Sequence, residues 1–177
     1  DPRTWRSFAR IEEAAARNAA RLAFVTPSAL RLYRKRYAST VGDRFVMIEN
    51  GYDEESFLSA EREIDPSPLN PHCVTLLHSG IVYPAERDPN ALFEALGRLR
   101  ATGQLDALHL RIRFRAAKHE NLLHELARRT NTEPWVEILP PLPYREALQE
   151  MLRADGLIVM QGANCNEQVP AKLYEYL

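Results

Sequence analysis

Apolar residues near the start of the chain recur every three or four positions, at Trp5, Phe8, Ile11, Ala15, Ala19 and Leu22. This period predicts an amphipathic helix with one buried stripe. The apolar run 22–26 predicts a buried strand that Pro27 ends, and Ser28 is the predicted N-cap of a helix to about Ala38. A second strand is predicted over 44–48, before the turn signal Asn50-Gly51.

The pattern weakens between residues 52 and 72 and then becomes regular. Little periodicity is present in this stretch, and prolines 66, 68 and 71 cluster at its end, which predicts a linker. Beyond it, strands are predicted over 73–78, 108–114, 135–139 and 156–160. Helices are predicted from Asp88-Pro89, over 118–129 and 143–154, and from about Val169. Four strand–helix alternations predict an α/β domain with a doubly wound parallel sheet.

Two of these strands differ in how their faces are composed. The run 73–78 is almost continuously apolar, as expected for a strand covered on both faces of a parallel sheet. The run 108–114 instead alternates apolar residues with arginines at 111, 113 and 115, which predicts one wetter face.

Composition excludes several classes of function. Of 177 residues, 45% are apolar and 27% charged, and the formal net charge is −1, so a dedicated nucleic-acid binder with a basic face is disfavoured. No apolar run approaches the roughly 20 residues that span a bilayer, and no signal peptide opens the chain. Cys73 and Cys165 form no disulfide framework or zinc motif. These features favour a cytoplasmic protein.

Both termini have the pattern of cut ends. The chain begins at Asp1 and stops at Leu177 inside a predicted helix, without a cap. We therefore expect a fragment of a longer protein.

Three loops are the candidate ligand sites, because ligands of open parallel sheets bind beyond the carboxyl ends of the strands. They are 79–87, 140–144 and 161–169. In the third, Pro170 lacks an N–H, and the amides of Gln168, Val169 and Lys172 can face an anion at the start of the final helix. Eight helical residues span about 12 Å, the scale of a nucleoside diphosphate sugar.

Glu167 and Glu175 are the candidate carboxylates of this segment. One can meet a sugar while the other accepts hydrogen bonds from ribose hydroxyls, with the helix N-terminus on the phosphates. A simpler interpretation stays open, because two glutamates eight apart are common. Glu175 can pair with Lys172, and Glu167 can serve the helix dipole.

The other two loops supply weaker candidates. Gly80 lets the backbone approach a diphosphate closely, and Arg87 offers a permanent planar charge, although a turn glycine and a local ion pair explain both equally well. The first loop lacks the G-x-G-x-x-G fingerprint, which disfavours NAD and FAD. Tyr144 can stack on a base or be a buried interfacial tyrosine. No histidine pair has metal-ligand spacing, so no metal and no cofactor are predicted.

Several motifs together resemble glycosyltransferase family 4. Thr26-Pro27-Ser28 before a helix, and Ile48 to Asp53 with Phe57, resemble the end of the acceptor domain and its linker, with Glu49 and Tyr52 departing from the family's pattern. His78-Ser79-Gly80 and Arg87-Asp88-Pro89 resemble the first strand and loop of the donor domain. Glu167 and Glu175 match the paired glutamates. The order of these parts is more specific than any one of them.

The resemblance implies a GT-B fold: two facing Rossmann-like domains with a metal-independent site that retains anomeric configuration. Residues 1–51 would end the acceptor domain, 52–72 would be the linker, and 73–177 would be a truncated donor domain. Glu167 would contact the transferred sugar, and Glu175 the ribose. A chain of this extent would bind donor and not turn over.

The remaining site residues follow from the same resemblance. The amides of Gln168 and Val169, with Gly80, would hold the diphosphate, and Arg87 would replace the usual lysine. Ile81 and Val82 stand where a second basic residue is typical, and Lys172 is the candidate to compensate. The partners would be a nucleotide-sugar donor and a glycan or lipid-linked acceptor in polysaccharide biosynthesis, with peripheral membrane contact possible. An epimerase of the same fold and a non-catalytic nucleotide-sugar-binding module stay open as alternatives.

Overall fold

The computed structural model describes residues 1–39, 42–105 and 109–177. Contacts divide the chain into two units. The first unit contains Asp1–Tyr52 and Asn166–Tyr174, and the second contains Asp53–Cys165 and Glu175–Leu177. The predicted start of a strand at Leu108 lies outside the described residues. No helix among those described is long and apolar enough to cross a membrane.

The first unit is built around a parallel β-α-β arrangement. Its elements are α1 (Pro2–Asn18), β1 (Leu22–Phe24), α2 (Pro27–Arg36) and β2 (Phe45–Met47). The two strands pair in parallel, with Leu22 opposite Phe45. Phe24 packs against Phe45 and Tyr33, at ring-centroid distances of 4.9 and 5.0 Å. This aromatic cluster holds α2 onto the strands.

Helix α2 begins two residues earlier than the sequence pattern predicts. Thr26, not Ser28, is its N-cap, because the Thr26 hydroxyl accepts a hydrogen bond from the Ala29 amide at 3.2 Å. Pro27 then occupies the first helical position, where its missing N–H leaves no bond unmade. The prediction of Ser28 as the N-cap was therefore wrong, and Pro27, which follows the strand, opens the helix.

The apolar stripe predicted to be buried on α1 is exposed. Trp5, Phe8 and Ile11 are 75%, 61% and 62% exposed. The helix is held near its C-terminal end instead, where Ala16 is buried and the Arg44 guanidinium donates to the carbonyls of residues 16, 17 and 19. Periodicity predicted the helix but not which of its residues are buried, because the polar contact with Arg44 holds only this end.

Glu12 joins α1 to α2. Its carboxylate accepts hydrogen bonds from Arg36 Nη1 at 2.6 Å, Tyr37 Oη at 2.7 Å and Tyr33 Oη at 3.1 Å. Burial alone raises the pKa of Glu12, but the bonds from Arg36, Tyr37 and Tyr33 outweigh it and hold the pKa below its usual value of 4.5. The ionised carboxylate is therefore the form that stabilises the first unit.

We expect Glu12→Gln to remove part of the acid sensitivity of the fold. Because the pKa is lowered on folding, the stabilisation is present above about pH 4.5 and is lost as the pH falls through the folded value. Solvent screening limits the effect to on the order of 1 kcal/mol. Urea unfolding at pH 3 and pH 7, followed by far-ultraviolet circular dichroism, measures it. Glu13→Gln, which breaks an exposed pair with Arg17, is the control and should keep the pH dependence of the parent.

The second unit contains a parallel sheet with helices on both faces. Among the described residues, its strands are ordered β5-β4-β3-β6, and every neighbouring pair is parallel. The elements are α3 (Glu54–Arg62), β3 (Val74–Ser79), α4 (Asn90–Ala101), β4 (Leu110–Arg115), α5 (Glu120–Thr130), β5 (Val136–Leu139), α6 (Tyr144–Arg153) and β6 (Gly156–Leu157). Helix α3 falls within the stretch predicted as a linker. Helix α7 (Ala171–Tyr176) ends the chain.

Apolar clusters cover the two faces of this sheet. On one face, α4 and α5 pack together, and Phe93, Phe114 and Leu123 are fully buried. On the other face, α6 packs against α3, and Leu77 and Leu148 are buried. The sheet is therefore the doubly wound α/β arrangement that the alternation predicts.

The arginines of β4 do not form the wetter face that their alternation predicts. Arg115 is 8% exposed and lies beneath α6, where Glu150 is 6% exposed. Arg115 Nε and Nη2 donate to the two Glu150 oxygens at 2.7 and 2.6 Å, and Arg113 Nη1 donates to Oε1 at 3.1 Å. A paired charge can be buried, so polar alternation in a central strand does not establish exposure.

Candidate functional site

The strand order places a topological switch point between β3 and β6. From β3 the chain proceeds outward to β4 and β5, and then returns to the opposite side of β3 as β6. The carboxyl ends of β3 and β6 therefore lie side by side with their connections running to opposite faces, which is where ligands bind in open α/β sheets. The loops 80–89 and 158–165 follow these two strand ends.

The loop after β3 turns sharply at Gly80. Gly80 has φ +118°, and its amide donates to the Arg115 carbonyl at 2.8 Å. The Val82 amide then donates to the Ala117 carbonyl at 3.0 Å, and Val82 is fully buried. The predicted need for glycine at this position thus has a conformational basis, because an L side chain rarely adopts this φ.

We expect Gly80→Ala to lower the free energy of unfolding by about 1–3 kcal/mol, because alanine would be held in a sparsely populated conformation. Urea unfolding measures the loss. Gly51→Ala is the matched control, since a Cβ there meets no atom within 4 Å. The control should change stability by less than about 0.5 kcal/mol. Equal effects of the two substitutions would contradict a conformational requirement at Gly80.

Arg87 is held within its own loop. Its Nη1 donates to the Ile81 carbonyl at 3.3 Å, and its guanidinium lies 5.1 Å from the Tyr83 ring centroid. The side chain is half-buried. Because a guanidinium has five N–H donors, this arrangement orients Arg87 while donors remain for an anion.

The loops after β3 and β6 are bonded to each other. The Gly162 amide donates to the Glu86 carbonyl at 2.6 Å. A Cβ at Gly162 would lie 3.1 Å from the Ala85 carbonyl oxygen, so the close approach favours glycine. Gln161 Nε2 donates to the Cys165 carbonyl at 2.9 Å and closes the second loop on itself. The two loops at the switch point therefore form one backbone surface.

Tyr176 contributes to this edge of the sheet through its hydroxyl group. Its ring packs against the cluster of Leu77 and Leu148, but its hydroxyl accepts a hydrogen bond from the Ser79 amide at 3.3 Å. Burial raises the pKa of Tyr176 and the charge of Glu175 raises it further, while the Ser79 bond and the charge of Arg87 lower it. Helical spacing cannot reveal this hydroxyl contact.

The pKa of Tyr144 depends on its burial and on the charge of Glu175. Burial raises the pKa of Tyr144, and the negative charges of Glu175 and Asp53 raise it further. Tyr144 is nevertheless 58% exposed, at the first position of α6. It is therefore not the buried interfacial tyrosine considered as an alternative, and its ring is accessible for stacking.

Four of the predicted site residues lie in the second unit at or after strand ends: Gly80, Arg87, Tyr144 and Glu175. The other four lie in the first unit, on the segment before and within α7: Glu167, Gln168, Val169 and Lys172. Glu167 and Gln168 are exposed, and Val169 and Lys172 are half-buried.

The backbone of Glu167 is fixed by two hydroxyl groups that the sequence pattern did not connect with it. The Glu167 carbonyl accepts a hydrogen bond from Thr26 Oγ1 at 2.7 Å and from Ser28 Oγ at 3.0 Å. These residues are about 140 positions apart, so a single sequence gives no signal for the contact.

His78 is a core residue. It is fully buried at the end of β3, its Nδ1 lies 2.9 Å from the Ile158 carbonyl oxygen, and its ring packs near Phe114.

Comparison with solved structures shows which fold this is. A glycosyltransferase from Rickettsia africae superimposes with a TM-score of 0.59 at 15% identity, over 97% of this chain and 46% of that one. Anabaena HepE in complex with UDP-glucose superimposes with a TM-score of 0.58 at 15% identity, over 92% of this chain and 44% of that one. Sucrose-phosphate synthase from Thermosynechococcus elongatus superimposes with a TM-score of 0.59 at 13% identity, over 92% of this chain and 41% of that one. No protein-family model matches the chain, and no curated protein sequence does.

These identities are too low to establish more than a fold. The chain spans less than half the length of each of the three structures. Its parallel sheets, with helices on both faces of the larger one, are consistent with a Rossmann-like part of the GT-B fold. The chain therefore has the mixed α/β fold of a portion of each of these three structures.

Proposed function

We propose that the chain binds a nucleotide-sugar donor as part of a glycosyltransferase of family 4, which transfers the sugar to a glycan or lipid-linked acceptor with retention and without a metal. The observation that carries this proposal is the structural likeness, over nine-tenths or more of the chain, to a glycosyltransferase, to HepE in complex with UDP-glucose and to a sucrose-phosphate synthase. The paired glutamates of 167–175 follow β6, as the family resemblance requires.

In this proposal Gly80, Arg87, Glu175 and Tyr144 supply the nucleoside contacts and some of the diphosphate contacts. The Gly80 turn presents backbone to the diphosphate, and Arg87, already oriented by Ile81 and Tyr83, provides a cation. Glu175 accepts hydrogen bonds from the ribose hydroxyls, and Tyr144 stacks on the base. The 58% exposure of Tyr144, together with a pKa that burial and then the charge of Glu175 raise, supports this pairing of roles.

The segment that begins at Glu167 supplies the sugar contact. The Glu167 carboxylate binds hydroxyls of the transferred sugar, while the amides of Gln168 and Val169, with Lys172, meet the diphosphate. As the bond between the anomeric carbon and the diphosphate oxygen breaks, negative charge grows on the leaving group. Amide and cationic donors stabilise that charge, and this is the main source of rate enhancement expected for such a site.

Product analysis tests the reaction class. The chain, joined to an acceptor-binding half, is incubated with a radiolabelled nucleotide sugar and a mixture of glycan and lipid-linked acceptors. Label transferred to an acceptor supports the proposal, and it should carry the anomeric configuration of the donor. Release of an altered free sugar in the absence of acceptor indicates an epimerase instead. Donor binding without any turnover indicates a non-catalytic binding module.

A further inference from the structure

Thr26 is a residue of the first unit whose side chain binds the backbone of the segment that contains Glu167. It follows β1 directly, its side chain is 1% exposed, and its hydroxyl caps α2 by accepting from the Ala29 amide. The hydroxyl has one proton to donate, and this proton goes to the Glu167 carbonyl at 2.7 Å. One buried group therefore serves both the helix start and the loop.

Ser28 makes the second bond to the same oxygen. Its hydroxyl lies 3.0 Å from the Glu167 carbonyl oxygen and 3.4 Å from Thr26 Oγ1, so the shorter contact takes its proton. A carbonyl oxygen has two lone pairs, and two hydroxyl donors satisfy both. The backbone of an otherwise exposed residue is thus held by two side chains on a rigid helix start.

We propose that Thr26 and Ser28 are positioning residues for Glu167, which they hold by its main chain so that its carboxylate is preset for the transferred sugar. They do not touch the donor. This inference rests on the proposed function, because it assigns the sugar contact to Glu167. Its consequence is graded: loss of the hydroxyls weakens recognition of the sugar more than recognition of the nucleoside diphosphate, because the diphosphate has further proposed contacts at Gly80 and Arg87.

The test compares two classes of ligand, nucleotide sugars and nucleoside diphosphates, in calorimetric titrations. The parent chain is titrated with UDP-glucose, GDP-glucose and ADP-glucose, and with UDP, GDP and ADP. Ser28→Ala removes one bond without removing the α2 cap, and should weaken binding of the sugar nucleotide about three- to tenfold and binding of the diphosphate by a smaller factor. Thr26→Val should show the same selectivity, and Thr26→Ser should restore parental affinity. Ser7→Ala, an exposed serine of α1, is the control.

Amide hydrogen exchange of residues 166–169 without ligand is the second measurement. Faster exchange in Ser28→Ala than in Ser7→Ala supports the positioning role, and equal exchange contradicts it. Parallel weakening of sugar nucleotide and diphosphate would also overturn the inference while the proposed function stands. If the parent binds none of the six ligands, the proposed function fails, and the sugar-contact role of Glu167 fails with it.

Discussion

Replacing Glu150 by glutamine should lower the free energy of unfolding by about 3–5 kcal/mol, the largest stability effect that we expect. The substitution keeps the size of the side chain but removes the charge that balances Arg113 and Arg115. The Glu150 side chain is 6% exposed, and those of Arg113 and Arg115 are 13% and 10% exposed. Water cannot compensate the loss at this depth, and a neutral amide cannot accept from two guanidinium groups as strongly as a carboxylate.

Urea unfolding followed by tryptophan fluorescence measures this effect. Trp135 is buried in the second unit and reports on it, whereas Trp5 is exposed, so the series is made in a Trp5→Phe background. Glu63→Gln, which breaks an exposed pair with Arg145, is the control and should cost less than about 1 kcal/mol. A loss at Glu150 no greater than at Glu63 would mean that the buried network does not stabilise the sheet.

The largest expected functional effect is that of Glu175→Ala on donor affinity. If the carboxylate accepts hydrogen bonds from the ribose hydroxyls, its removal costs roughly 1.5–3 kcal/mol, or about 10- to 100-fold in Kd. The sugar nucleotide and the nucleoside diphosphate should weaken equally, because both contain the ribose. This distinguishes Glu175 from Glu167, whose substitution should weaken the sugar nucleotide alone.

A matched glutamate separates this role from a general charge effect. Glu120 is exposed in the first turn of α5, after the carboxyl end of β4, so it lies at the same edge of the sheet. Glu120→Ala should leave the Kd within twofold of the parent. Unchanged affinity in Glu175→Ala, for a donor that the parent binds, would eliminate the ribose role.

The α/β fold was predictable because it follows from local signals. The alternation of apolar strands and amphipathic helices can be identified in a single sequence. The elements from β3 to α6 lie close to their predicted bounds. The exposed stripe of α1 and the buried arginines of β4 were not predictable from those signals. In both cases a polar contact distant in sequence contributes to the packing: Arg44 holds the C-terminal end of α1, and Glu150 pairs with Arg115 of β4.

The sequence predicted which residues supply the chemistry of the candidate site, but not which contacts hold those residues in place. The rule for open sheets selected the loops that contain Gly80 and Arg87, and the resemblance selected the paired glutamates. The contacts of Tyr176 with Ser79, and of Thr26 and Ser28 with Glu167, depend on three-dimensional proximity over 97 to 141 positions. No periodicity or motif encodes such pairs.

Direct titration of the chain with nucleotide sugars tests the central claim that it binds a donor. UDP-glucose, GDP-glucose and ADP-glucose are added in separate calorimetric experiments, with NAD and glucose 1-phosphate as comparisons. We expect saturable one-to-one binding of at least one nucleotide sugar, tighter than that of either comparison ligand. Absence of binding by all three up to about 1 mM, the upper end of ordinary Michaelis constants, or preferential binding of NAD, would contradict the account.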